Sequence, residues 1–197
     1  HSAEDLFRIR TLGFRGEALA SIGSVSRMSI LSKQPGEQVG ARIVVEGGKT
    51  LTSELSGAVS GTSVQVRDLF FNTPARLKFL KRDLTEKQQI DNLVTRYALA
   101  YPEKSIHLEE DGKPVLQTSG NGDRRDVLAQ VYGIDLAKQL LEVVFEEEDL
   151  AVSGFISPIS INRSNRKEIT FFVNGRWVQD TALSTALMKA YQSFLMV

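Results

Sequence analysis

Of the 197 residues none is cysteine, and only His1 and His107 are histidine. The first absence removes disulfides, thiolate metal sites and thiol nucleophiles together, and the second removes a histidine-rich metal centre. A chain without cysteine fits a reducing compartment. Neither sign of charge predominates, because 24 Lys plus Arg stand against 24 Asp plus Glu. That balance argues against the overall cationic surface of a nonspecific nucleic-acid binder, while leaving local patches to be read one at a time. No span reaches the roughly 18 apolar residues of a membrane helix, and no basic, apolar leader opens the chain. A soluble, intracellular protein without membrane attachment is the expectation. The 42% of hydrophobic residues is ordinary for a globular chain, so disorder, collagen and disulfide scaffolds drop out and one or two domains are expected.

Along the chain, Ser2 can cap a first turn carrying Glu4 and Asp5, with Leu6, Phe7 and Ile9 after it. Glu17 to Ser24 reads as a short helix and Arg27 to Lys33 as a strand. Val39 to Glu46 and Lys49 to Leu55 flank Gly47-Gly48, a two-residue hairpin signal, and Gly61 to Arg67 alternates with Val64 and Val66 on one face. Asn72 or Thr73 offers a cap to a helix with Pro74 at its first position. Thr85-Glu86-Lys87-Gln88 is a capping box for a second helix, whose stripe of Ile90, Leu93, Val94, Tyr97 and Ala98 runs until Pro102. A hairpin follows, Ser105 to Glu109 and Val115 to Thr118 around Asp111-Gly112. Ser119 to Asp123 has the composition of a flexible linker. Beyond it come a helix from Arg124 to Tyr132, a solvated turn at Glu146 to Asp149, strands at Leu150 to Ser157 and Glu168 to Asn174, and a turn at Asn174-Gly175. Asp180 caps a last helix with Leu183, Leu187, Ala190, Tyr191 and Phe194 inward.

Three segments could carry chemistry. Gly13-Phe14-Arg15-Gly16-Glu17-Ala18-Leu19 sets two glycines three apart just before a helix. Such a loop lets backbone N–H groups and the positive helix end approach a phosphate, with Arg15 as a charged donor, and it also fits a plain helix-entry turn. Leu69 to Arg76 runs from an apolar strand end into a capped helix; Arg76, Lys78, Lys81 and Arg82 form a basic face offset by Asp83 and Glu86. Asn162 to Lys167 carries Arg163, Arg166 and Lys167, and Arg176 stands beside Trp177 after the next turn. Nucleic-acid contact and a solvated loop fit those cations equally well. No Ser/His/Asp triad or paired carboxylates can be argued, so no catalytic residue and no metal ligand is assigned.

The wording GFRGEALASI, then GTSVQVRDLFFNTPARLKFLK, then FFVNGR, in that order and over nearly the whole chain, resembles the MutL family of DNA mismatch repair proteins. That family belongs to the GHKL ATPases. The resemblance implies an α+β fold: the later half of a GHKL (Bergerat) α/β sandwich over 1–118, with ATP-binding motifs III and IV, then a truncated ribosomal protein S5 domain 2-like domain over 119–197. It implies that Gly13, Phe14, Arg15 and Gly16 close over a triphosphate as an ATP lid and that Thr62 lies near the adenine end. It places Arg176 in a groove associated with DNA, while Arg163, Arg166 and Lys167 are DNA-contact candidates from their charge alone.

The glutamate, the magnesium-holding asparagine and the Asp-x-Gly-x-Gly segment of the family precede the portion seen here, and its γ-phosphate lysine follows it. The expectation is therefore an internal fragment, catalytically inactive by itself and without a tightly bound cofactor. ATP and magnesium would belong to an intact parent, which would dimerise with a second copy and meet DNA and both mismatch-recognition and downstream repair proteins. The expected location is the cytoplasm, at the nucleoid in a bacterium or in the nucleus of a eukaryote. Two rival classes are an isolated DNA-binding module with a structural glycine loop and a protein-interaction platform built on uncovered apolar faces. Residues 1–118 hold 16 basic and 14 acidic residues and 119–197 hold 8 and 10, so weak, salt-sensitive DNA binding is expected.

Overall fold

The computed structural model describes residues 16–148, 150–161, 163 and 165–192. The chain divides into two compact units, His1–Arg82 and Asp83–Val197. The first contains helix α1 (Ala18–Gly23), strands β1 (Arg27–Lys33), β2 (Gly40–Glu46), β3 (Lys49–Ser56) and β4 (Gly61–Arg67), and the single turn α2 (Pro74–Leu77). Its strands form an antiparallel sheet in the order β3-β2-β1-β4. Gly47-Gly48 turns β2 into β3 with both φ angles positive, as the glycine pair predicts. The register sets Met28 opposite Val45 and Val66, and Ile30 opposite Ile43 and Val64, so one face is apolar while Arg27, Arg42, Glu46 and Arg67 share the other. Helix α1 meets the apolar face at Gly23, where an added Cβ would touch Met28 Cε at 3.0 Å. Val64 and Val66 stay 44% and 42% exposed on that same face.

After β4 the backbone is strained: Asp68 and Phe70 are non-glycine residues at φ 50° and 66°. The Phe70 N–H donates to the Val25 carbonyl at 2.6 Å and Arg27 bonds Asp68 at 2.7 Å, contacts that hold this conformation. Pro74 does start α2, behind Thr73, but the Thr73 side chain makes no capping bond. The Asn72 amide is engaged elsewhere, donating to the Ser24 carbonyl at 3.0 Å.

The second unit contains α3 (Asp83–Ala100), β5 (His107–Glu110), β6 (Lys113–Gln117), α4 (Arg124–Tyr132), α5 (Ile134–Gln139), β7 (Leu141–Glu147), β8 (Leu150–Ile156), β9 (Phe171–Val173), β10 (Arg176–Val178) and α6 (Thr181–Gln192). Its strands pair as three antiparallel hairpins, β5-β6, β7-β8 and β9-β10. The core gathers Ala98 and Leu99 of α3, Leu116 of β6, Val127 and Leu128 of α4, and Ala137 of α5. Helix α3 begins two residues ahead of the expected capping box, and its stripe splits: Ala98 is buried whereas Ile90, Leu93 and Tyr97 are exposed.

The segment from Ser119 to Asp123 is a hydrogen-bonded turn despite its linker-like composition. Asp123 caps α4 by accepting from the Arg125 N–H at 2.8 Å, Ser119 Oγ donates to Asp126 at 2.8 Å, and the Gly122 N–H reaches the Pro102 carbonyl at 3.1 Å. Glu146 and Glu147 prolong β7 where a turn was expected; Glu148 does turn, at φ 40°, and Asp149 lies outside the described residues. The strand expected over Glu168 to Asn174 keeps only Phe171 to Val173. Asp180 caps α6 through the Leu183 N–H at 2.8 Å, yet Leu183 and Ala190 are exposed and no described residue of α6 is buried. Phe194 lies outside the described residues.

Candidate nucleotide and nucleic-acid sites

Gly13, Phe14 and Arg15 of the glycine loop lie outside the described residues. Gly16 is exposed at φ +68°, and a Cβ there would meet nothing within 4 Å. Glu17 occupies the N-cap of α1 without a side-chain capping bond, and the first helical bond runs from the Ser21 N–H to the Glu17 carbonyl at 2.9 Å. The N–H groups of the first turn precede that ladder and have no partner within the helix. Open space at Gly16 and such donors fit an anion, although a helix end of this kind contributes only about 0.3 to 1 kcal/mol per charge at a surface. Several convergent donors are needed for tight binding.

Thr62 lies on β4, opposite Ser32 of β1, with its hydroxyl 2.7 Å from that of Ser32. Its register places it on the face carrying Ile30 and Val64. The same face holds a cleft of about 320 Å³ between α1 and the sheet, bounded by Leu19, Gly23, Met28, Ile30 and Val45. Gly16 and Thr62 thus belong to one unit, in which β4 and the helix that begins two residues after Gly16 border one apolar face. No cluster of three acidic or histidine side chains that could hold a metal ion exists among the described residues, so these residues do not by themselves fit magnesium.

The basic segment is divided by a strand. Arg163, Arg166 and Lys167 are exposed in the loop before β9, where Asn165 Oδ1 accepts from the Lys167 N–H at 3.0 Å. Arg176 is exposed at the start of β10, paired with Val173. Arg176 stands at the turn end of the β9-β10 hairpin, and the loop carrying the other three cations leads into the opposite end of β9.

Sequence reasoning missed what holds that hairpin. Tyr101, just past α3, donates its hydroxyl to the Gly175 carbonyl at 2.9 Å. The Arg96 guanidinium lies 3.9 Å from the centre of the Trp177 ring. Tyr97 and Tyr101 stack at 6.5 Å and 20°. The Tyr132 phenol is pushed up to about 12, first by burial and then by the charge of Glu168 and a hydrogen bond to it. The one signal available was Tyr97, which read as part of the core stripe of α3, with Tyr101 four residues on, just past the helix end.

Among the described residues no helix is long and apolar enough to cross a membrane. A family model described as "DNA mismatch repair protein, C-terminal domain" matches residues 128–197. The DNA mismatch repair protein MutL of Agathobacter rectalis is 45% identical over 195 residues, covering 99% of this chain and 30% of that protein. MutL of Listeria monocytogenes is 46% identical over 191 residues, covering 97% of this chain and 32% of that protein. Among solved structures, the Aquifex aeolicus MutL ATPase domain complexed with ADP matches with a TM-score of 0.74 at 31% identity, over 96% of this chain and 71% of that one. The chain spans about a third of the length of the curated relatives it matches.

Proposed function

The chain belongs to the MutL family of DNA mismatch repair proteins, and from that premise we propose that it forms part of an ATP-binding switch coupling nucleotide state to dimerisation, DNA and repair partners. Its α+β architecture is that of the MutL GHKL ATPase domains. The observation that carries the reading is the match to an ATPase domain complexed with ADP, which covers 96% of this chain. In this reading Gly13, Phe14, Arg15 and Gly16 close over the phosphates, and Thr62 lies toward the base on the sheet face that bears the cleft. Bound magnesium would neutralise phosphate charge, with ligands supplied from outside the described residues.

Residues 1–118 are assigned to the ATPase half and 119–197 to the S5-like domain. The family-model match beginning at residue 128 supports that division, while the compact units part earlier, after Arg82. Arg163, Arg166, Lys167 and Arg176 contact DNA phosphates. Each cation that neutralises a phosphate releases counterions, so binding weakens as salt rises.

Titration calorimetry of the chain with ADP tests the nucleotide part. A saturable heat that Arg15→Ala with Gly16→Val abolishes is expected; equal heats for both proteins would remove the reading. For DNA, anisotropy of a labelled duplex across a salt series should show Arg176→Glu binding several-fold weaker with a shallower salt slope. Identical slopes would remove that assignment. A second reading, association through apolar surface, is favoured by Val59, Phe79 and Leu84, each at least 80% exposed. Concentration-dependent self-association indifferent to ADP and DNA would support it.

A further inference from the structure

The β9-β10 hairpin is held at two points, by Arg96 of α3 and by Tyr101 just past its end. Tyr101 Oη donates to the Gly175 carbonyl at 2.9 Å, and the approach is so close that a Cβ on Gly175 would stand 2.7 Å from that oxygen. One residue beyond Arg176, the Trp177 ring is covered by the Arg96 guanidinium at 3.9 Å. Tyr97 stacks on Tyr101 and limits the freedom of its ring. Arg176 therefore sits between two neighbours whose positions are set from the last turns of α3 and the residue just past its end.

This arrangement is more than packing requires. Asp111-Gly112 makes the same kind of turn, at φ 49° and 74° against 50° and 75° for Asn174-Gly175, and a Cβ on Gly112 would meet nothing within 4 Å. An Asn-Gly or Asp-Gly hairpin turn needs no outside hydroxyl to form. We propose that Tyr101 is a positioning residue, which through its hydrogen bond to Gly175 aims the Arg176 side chain at a DNA phosphate. The proposal rests on the reading that Arg176 contacts DNA. A guanidinium aimed in advance loses less side-chain entropy on binding, so the hydroxyl contributes to affinity without touching the nucleic acid.

The test is a double-mutant cycle on the full chain, with Tyr101→Phe, Arg176→Ala and both together, read by anisotropy of a labelled duplex at low salt. Tyr101→Phe is expected to weaken binding about threefold or more when Arg176 is present and by less than about twofold in the Arg176→Ala background. Because Trp177 is the single tryptophan, its emission reports on the turn, and a shift is expected in a Tyr101→Phe chain that still unfolds cooperatively, a few degrees lower. Equal weakening in both backgrounds would make the hydroxyl a general structural contact and overturn the proposal. Wild-type affinity in Tyr101→Phe beside weak binding in Arg176→Ala would overturn it too, while sparing the DNA reading. Wild-type affinity in Arg176→Ala would overturn both. Should Tyr101→Phe unfold, Gly175→Ala displaces the same hydroxyl and is expected to show the same dependence on Arg176.

Discussion

Replacing Gly175 by alanine puts a methyl group where the structure holds an oxygen. At φ +75° an alanine is left-handed, which costs about 1 to 2 kcal/mol. Its Cβ would also lie 2.7 Å from Tyr101 Oη and 3.3 Å from Tyr101 Cζ. The tyrosine must retreat and give up its hydrogen bond to the Gly175 carbonyl, a further loss of about 1 kcal/mol. Gly112→Ala supplies the matched control, because that glycine has φ +74° and open space around it. The expected destabilisations are about 2 to 3 kcal/mol at Gly175 and about 1 to 2 kcal/mol at Gly112. Urea unfolding followed by Trp177 fluorescence measures both, since the two glycines and the tryptophan belong to the same compact unit. Adding Tyr101→Phe to Gly175→Ala removes the nearest clashing atom and should bring the alanine's cost down to the Gly112 value. Equal destabilisation at the two glycines would refute the argument, because the Tyr101 contact would then carry no energy.

Three other expectations can be checked on the same unit. Thr118 is buried, accepts from the Ile106 N–H at 2.9 Å and donates to the Lys104 carbonyl at 3.2 Å; Thr118→Val leaves both backbone groups unpaired and should cost about 1 to 3 kcal/mol in urea titrations. Val127 is 1% exposed at the centre of the core, so Val127→Ala should cost about 2 kcal/mol, and a change below a few tenths would place the core elsewhere. The folded-state value of about 12 for the Tyr132 phenol lies above the ordinary 10.0. The neutral form is favoured in the folded chain, so this contribution is fully present below pH 10 and is lost as pH rises toward 12. Stability relative to Tyr132→Phe should fall across that window, and parallel pH profiles would refute the assignment.

The elements most legible in the sequence were those whose signals are local. Gly47-Gly48, Asp111-Gly112 and Asn174-Gly175 each turn a hairpin, and the alternation of Val64 and Val66 gives the β4 face correctly. Segments that depend on distant partners were less legible. Residues 134–147 hold α5 and β7, but Ile134 to Gln139 spans barely two turns and Glu146-Glu147 closes a strand with charges, so neither period stands out. Of the two candidate caps before Pro74, Thr73 takes the position without a capping bond, and Asn72 bonds Ser24, 48 residues away. Of the candidate sites, Arg176 was legible as a cation beside a turn; Tyr101 was not, because its partner lies 74 residues along the chain. The glycine loop gained its nucleotide meaning from wording shared with a family, since a bare pair of glycines three apart is too common to carry it.

Two neighbouring cations change how substitutions in this chain should be scored. Arg124 Nε donates to the Leu99 carbonyl at 3.1 Å, and Arg125 donates to the Ala137 and Leu140 carbonyls at 2.7 and 3.0 Å while lying 4.7 Å from the Phe155 ring. From one turn of α4 they staple the carboxyl ends of α3 and α5, Arg124 through Nε and Arg125 through one Nη while its planar group faces an aromatic ring, placements that a lysine ammonium does not reproduce. Lysine at either position would preserve every charge tally, yet it would loosen helices lying 25 and 12 residues away in the chain. Variant classifications that group arginine with lysine would pass such changes as neutral, and inherited or engineered alleles at 124 and 125 belong instead with mutations of the core.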